Sequence, residues 1–268
     1  MNQMRVENAK EAGGNKAYRE ALVDFLYRLA DDDFLLGHRI SEWLGIAPDI
    51  EEDIAFSSIC QDEIGHATLY YNFLSELGEG KPDDLAFGRN ASEFHNALFL
   101  ERRNGDWAHA VARSYLYDVF EAILINELTN SSYVPLSLGV KKIQREERYH
   151  YLHMETWFKR LAIAGGEAKE RLESAIAGIW PELFDLFMYG PYASLLVAEE
   201  IVPITEKELY LKWEETVKGI FETVGLTWPG SPVQSGKQGG RFGEHTKDLE
   251  ELLTTATEVY RLNPVANW

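Results

Sequence analysis

Two copies of a short helical pattern, Asp62-Glu63-Ile64-Gly65-His66 and Glu146-Glu147-Arg148-Tyr149-His150, restrict this chain more than any other feature. Each contains Glu-x-x-His, which on a helix sets a carboxylate and an imidazole about one turn apart on the same face. A single copy describes an exposed helix surface more often than a site, because the pattern is so short. Two copies, with an acidic residue at matching height on each of two other helices, describe a bundle that encloses two metal ions.

The chain has 268 residues, enough for one large domain with a sizeable core. Hydrophobic residues make up 45% of it and aromatics 12%, a globular composition. The net charge of −18, from 26 basic and 44 acidic residues, excludes nucleic acid or an anionic membrane as a partner over most of the surface. The lone Cys60 rules out an internal disulfide and fits a reducing compartment. It stands three residues before Glu63 and reads as a small core residue. No stretch is long and apolar enough to span a membrane, and residues 1–16 lack the apolar core of a signal peptide. The expectation is a cytoplasmic protein.

Helical periodicity dominates, with no alternating β-branched run that reads as a strand. The spacing predicts helices over about 17–44 and 49–77, the second opened by an Asp49/Glu52 capping box. A long connection, 81–105, leads to helices over about 106–129 and 135–164, separated by Asn130-Ser131-Ser132. Two short links and one long crossover give an all-α, ferritin-like four-helix bundle over about 17–164. A helical extension over about 167–268 completes a single domain. It has helices near 167–187, 205–224 and 244–262 and a glycine-rich loop over 225–243.

The remaining ligands follow from geometry. In two antiparallel helices joined by a short turn, residues equally far from the turn centre lie at the same height. With the first turn centred near Ala47-Pro48, Asp32 lies level with Glu63; with the second near Ser132-Tyr133, Asp118 lies level with Glu147. The predicted metal ligands are therefore Asp32, Glu63, His66, Asp118, Glu147 and His150. Four carboxylates and two imidazoles suit two iron ions, or less well manganese, with exchangeable positions left open. Asp62 and Glu146 are placed to orient the histidine of the opposite pair, and Glu121 is the nearest spare carboxylate. Glu42 lies ten residues beyond Asp32, roughly 15 Å along the axis, and is rejected.

The competing reading is a buried ionic network in which Arg39, Lys141 or Arg148 supplies the counter-charges. His38, His95, His109, His153 and His245 have no matching partners and read as surface or capping residues. The seven tryptophans read as core and interface residues.

Asp-Glu-x-Gly-His followed by Glu-Glu-x-x-His on such a bundle resembles the oxygenase subunits of the bacterial phenylacetyl-CoA epoxidases, and the C-type subunits in particular. The likeness includes Arg39-Ile40-Ser41-Glu42-Trp43 with Ala47-Pro48, Leu85-Ala86-Phe87 and Arg148-Tyr149-His150. Near the end it includes Gly239-Gly240, Gly243-Glu244-His245-Thr246 and the terminal Trp268.

The resemblance implies a component of a multicomponent di-iron monooxygenase of aerobic phenylacetate catabolism. In that system an A-type catalytic subunit uses O2 to epoxidise the ring of phenylacetyl-CoA, and a separate reductase delivers electrons from NADPH. The C-type subunit joins the A-type one in a heteromer as its structural partner, with an incomplete metal site. This chain departs from that pattern, since all six positions hold competent ligands. The alternative expectations are an independently active di-iron oxygenase and, more remotely, a ferritin-like metal store. A homo- or hetero-oligomer is expected in each case.

Overall fold

The computed structural model describes residues 5–232 and 238–263. Residues 233–237 of the glycine-rich loop, the first four residues and the last five, with Trp268, lie outside the described residues. A short α1 (Ala9–Gly13) precedes the two long helices α2 (Lys16–Ser41) and α3 (Ile50–Glu76). The crossover holds α4 (Pro82–Phe87) and α5 (Leu98–Glu101), and α6 (Trp107–Leu128) and α7 (Val134–Ala164) complete the bundle. Beyond it come α8 (Gly166–Ile179), α9 (Ala193–Ala198), α10 (Glu206–Val224), α11 (Lys247–Ala256) and α12 (Glu258–Leu262). Among the described residues there is no strand, only an isolated bridge between Val6 and Tyr133.

The bundle pairs α2 with α3 and α6 with α7, and α3 meets α7 across its middle. Local chemistry sets the helix ends. Asp49 accepts a hydrogen bond from the Glu52 amide at 2.9 Å, which starts α3. The second half of the expected capping box is absent, because Glu52 turns instead to His153 Nε2 at 2.9 Å. Thr205 and Glu208 form a complete box at the start of α10. The helix expected near 167–187 gives way at Trp180 to a 3₁₀ turn through Asp185, and the last expected helix is divided at Thr257.

The helix α2 carries Asp31, Asp32 and Asp33 in succession, and all three are buried. Successive helical residues point about 100° apart, so each carboxylate meets a different neighbour. Asp31 accepts from Arg89, from the Tyr71 hydroxyl at 2.8 Å and from the His95 amide at 2.8 Å. Asp32 accepts from Arg241 at 2.6 and 3.0 Å and from the Ala97 amide at 2.7 Å. Asp33 faces the bundle interior.

The C-terminal glycine motif is explained by the insertion of Arg241. A Cβ at Gly239, whose φ is +69°, would overlap the Asp185 carboxylate, and one at Gly240 would overlap the Asn96 carbonyl. The bare backbone lets Arg241 pass beneath the crossover to Asp32. His245 follows it in: its Nδ1 lies 2.7 Å from Glu101, and its Nε2 lies 2.9 Å from the Phe94 carbonyl. Burial opposes a charge on His245, but Glu101 outweighs that and raises its pKa. His245 is therefore an internal anchor and not the surface or capping histidine that the sequence suggested.

Removing one partner of a buried ion pair leaves an uncompensated charge. Arg241→Ala is expected to cost about 3–5 kcal/mol in urea unfolding, and Asp32→Asn in the same chain to recover part of that loss.

Candidate metal centre

Four helices bring seven ligand-type side chains into the middle of the bundle. Asp33 from α2, Glu63 and His66 from α3 and Glu121 from α6 offer ligand atoms within 4.8 Å of one another. Glu63 belongs equally to a second group with Glu147 and His150 of α7, so one carboxylate lies between the two. His150 Nδ1 is 2.8 Å from Glu147 Oε1 and 3.3 Å from Glu63 Oε1, and His66 Nδ1 is 3.5 Å from Glu147 Oε1. Asp118, one turn before Glu121, is buried beside Glu147 and His150.

Both imidazoles present the same nitrogen inward. Their outer nitrogens are held by carboxylates across the α3–α7 contact, His66 Nε2 by Glu146 at 2.9 Å and His150 Nε2 by Asp62 at 3.3 Å. A carboxylate accepts the proton of the outer N–H, which aims Nδ1 into the site, where a metal would take the place of any proton it carries.

The inward atoms lack other partners. Asp33 Oδ2, both oxygens of Glu63 and Glu147, Asp118 Oδ2, Glu121 Oε2 and the Nδ1 atoms of His66 and His150 are buried without a hydrogen bond. Such groups are costly unless something compensates them. Among the described residues no lysine or arginine pairs with Glu63, Glu147, Asp118 or Glu121. The cations of the ionic-network reading are elsewhere: Arg39 binds the Glu101 carbonyl and Glu42, while Lys141 and Arg148 are exposed. A donor set of carboxylates and imidazoles with no internal lysine or arginine fits two divalent ions.

The structure thus gathers Glu63, His66, Glu147 and His150, with Asp62 and Glu146 behind the histidines. It does not bring Asp32 to them, because Arg241 holds Asp32 on another side of α2. Asp33 takes the inward place. Equal height cannot separate adjacent residues that differ by only about 1.5 Å in rise; the rotation about the helix axis does. A signal was available in Gly37, four residues after Asp33 on the same face. A Cβ there would stand 3.1 Å from the Glu63 Cβ, so this face of α2 lies close against α3. On α6, Glu121 is a ligand-type member of the cluster and not merely a spare carboxylate, and Asp118 flanks it.

The electrostatics follow from crowding. Burial, then the Glu63 and Glu147 charges, push Asp33 well above the usual carboxylate range, against a hydrogen bond of 2.9 Å from the Tyr117 hydroxyl. Burial also raises Glu121 and Asp118 well above that range, and Glu63 less so. Glu147 is pushed up by burial, but His150 outweighs this and leaves it below its ordinary value. Burial acts to lower His150, yet Glu147 and Glu63 hold it up to about 12. Glu63 and Glu147 thus share one crowded space in which their pKa values part, Glu147 held down beside the His150 imidazolium and Glu63 pushed up.

Comparison with known proteins adds an independent line. The sequence model of a family described as phenylacetic acid catabolic protein matches residues 1–268. The C subunit of 1,2-phenylacetyl-CoA epoxidase from Escherichia coli (strain K12) is 31% identical over 251 residues, covering 92% of this chain and 99% of that one. The A subunit of the same enzyme is 24% identical over 238 residues, covering 85% of this chain and 75% of that one.

Two outcomes follow from the geometry. Asp33→Asn should lower bound metal, measured by elemental analysis, whereas Asp32→Asn should lower stability and leave the metal content nearly unchanged. Asp33, Asp118 and Glu121 bind protons more tightly folded than unfolded, so metal-depleted protein loses stability as pH rises above the usual carboxylate value of about 4. Within the cluster, the lowered carboxylate of Glu147 opposes this only in part. Metal must displace those protons, so added iron should raise Tm more at about pH 8 than at about pH 5.5.

Proposed function

Because the chain belongs to the phenylacetic acid catabolic protein family, we propose that it serves as an oxygenase component of a phenylacetyl-CoA epoxidase complex, pairs with an A-type subunit, and holds a di-iron centre of its own. Likeness over nearly the full length of an epoxidase C subunit supports the place in the complex. The carrying observation for the centre is the set of buried carboxylate oxygens and imidazole nitrogens that face one another with no lysine or arginine among them. That set favours a subunit with metal chemistry of its own over a bare scaffold.

Asp33, Glu63, His66 and Glu121 would hold one ion, and Glu63, Glu147 and His150 the other, with Asp118 beside the second. Iron held by these residues would supply the redox chemistry of O2 activation for oxygen insertion into an aromatic ring. The chain does the rest. Glu146 and Asp62 keep the two Nδ1 atoms aimed inward. The Tyr117 hydroxyl donates to Asp33 and fixes that carboxylate's second oxygen toward the cluster. Tyr70 and Tyr117, both almost fully buried, pack beside the carboxylates of the cluster and limit its contact with water. Electrons would come from a reductase component, and the substrate is phenylacetyl-CoA at the level of the complex.

Elemental analysis of protein from iron-replete cells should find about two irons per chain. Glu63→Ala should remove nearly all of the metal, since both groups share Glu63, and Glu147→Ala at least half. Co-expression with an A-type subunit should recover both chains in one complex. Metal-free protein after reconstitution with iron would defeat the centre, and failure to recover an A-type subunit would defeat the place in the complex.

A further inference from the structure

Phenol and indole are the side-chain rings that most readily give up a single electron, and the fold sets them in a line from the carboxylate cluster to the surface. The line begins at Tyr117 of α6, whose hydroxyl donates to Asp33 Oδ1 at 2.9 Å. Two routes join it to Trp213 of α10. Trp213 Nε1 donates at 3.0 Å to the carbonyl of Leu116, the residue just before Tyr117. The rings of Phe120 and Phe187 form the second route, with successive centroid distances from Tyr117 to Trp213 of 5.9, 5.7 and 5.2 Å. Trp213 in turn meets Trp228 at 6.4 Å and Trp180 at 5.7 Å, and Trp180 meets Trp228 at 4.9 Å. Tyr117 and Trp213 are almost fully buried, whereas Trp228 is only half-buried and reaches solvent.

Packing alone accounts for the burial of these rings, but not for their order. The phenylalanine rings are too hard to oxidise to serve as stations, and they act as a close-packed medium between two that can. The inner station also has somewhere to put its proton, because oxidation of a phenol releases one and Asp33 already accepts that hydrogen bond. Tyr70, the other phenol beside the cluster, has no hydrogen-bond acceptor among the described residues, so its proton has no prepared destination. A second group of tryptophans supplies the contrast. Trp43, Trp107 and Trp157 stand edge-on to one another at 5.3 and 5.4 Å and are half-buried like Trp228. Among the described residues none of the three makes a ring contact with Tyr117, Trp213 or Trp228.

We propose that Tyr117, Trp213 and Trp228 form a relay that carries single electrons from the protein surface to the carboxylate cluster. This deepens the proposed function and rests on the reading of that cluster as a di-iron centre. Reduction of O2 to two waters takes four electrons and four protons, of which a ferrous pair accounts for two electrons. When no aromatic substrate takes an oxygen atom, two electrons are missing, and the relay delivers them one at a time. In each delivery the Tyr117 O–H bond breaks, its proton passes to Asp33 Oδ1, and its electron goes to the oxygen being reduced. Trp213 then returns an electron to the Tyr117 radical, and the proton goes back from Asp33 to the phenol. Trp213 keeps its own N–H on the Leu116 carbonyl and is a radical cation until Trp228 reduces it. Trp228 is restored at the surface by a soluble one-electron donor, such as ascorbate or a thiol. Two deliveries and four protons from solvent complete the two waters and spare the ligand side chains from oxidation.

The test mixes the full-length, iron-loaded and anaerobically reduced protein with O2, without substrate and with catalase present. Samples are freeze-quenched for electron paramagnetic resonance and digested for mass spectrometry, with iron content measured on each. Ring-deuterated tyrosine or tryptophan assigns the radicals, which should appear first on a tyrosine and then on a tryptophan. Without ascorbate Trp228 should gain oxygen while Trp43, Trp107 and Trp157 do not, and added ascorbate should suppress that gain. Trp213→Phe should leave the iron content at the parent level, lengthen the life of the tyrosyl radical and abolish oxidation of Trp228. Trp228→Phe, a milder change nearer the surface, should hold the radical on the buried tryptophans. Tyr117→Phe should abolish the outward radical altogether. Iron-loaded protein in which Trp228 is oxidised no more than Trp43, or in which Trp213→Phe changes nothing, overturns the relay and leaves the centre standing. A tyrosyl radical that survives Tyr117→Phe assigns the oxidation to another phenol and also overturns the relay. Protein that takes up no iron overturns the centre and the relay with it.

Discussion

A carboxylate taken out of water has to meet positive charge or keep its proton, and that constraint organises the molecule around α2. Three aspartates in a row are buried there, and the rest of the chain is arranged to answer them. The crossover supplies Arg89 to Asp31, and the C-terminal segment supplies Arg241 to Asp32. Asp33 receives no arginine and turns instead toward four more carboxyl groups and two imidazoles. The two answered aspartates fix the rotation of α2, and that rotation aims the third.

The same logic operates between α3 and α7. Each helix contributes one inward glutamate and one inward histidine, and each holds the other's histidine from behind through the residue that precedes its glutamate. The exchange is reciprocal, so the two Glu-x-x-His segments cannot slide past each other without breaking both outer contacts. Orientation of the nitrogen atoms and registration of the helices are one interaction. An arrangement of this kind keeps a ligand set assembled against the mutual repulsion of its carboxylates.

Much of this was legible in the sequence, for reasons that are local. Helix periodicity, the Asp49 and Thr205 caps and the short and long links describe the bundle. The repeated Glu-x-x-His brings Glu63, His66, Glu147 and His150 onto facing surfaces, and the preceding acids onto the partner histidines. What was not legible depends on rotation and on remote sequence. The height rule returns Asp32 where Asp33 faces inward, and on α6 it selects Asp118 where Glu121, about 4.5 Å along the axis, is the one that joins a ligand group. The reason Asp32 points away is Arg241, 209 residues later, and no periodicity within α2 announces it. His245 was misread for the same reason, since its partners Glu101 and Phe94 belong to the crossover.

The arginine that answers Asp32 also sets a timetable. At ribosomal rates of about 5–20 residues per second, the 209 residues between the two take roughly 10–40 s to appear. Over about the last third of that interval, once α7 is complete at Ala164, the nascent bundle has its ligand helices but not the side chain that turns α2 into place. Asp32 must stay solvated or hold a proton until then. The last tenth of the chain therefore acts as a latch on a centre built from the first six-tenths, and a polypeptide cut short before Arg241 would leave that centre within reach of water.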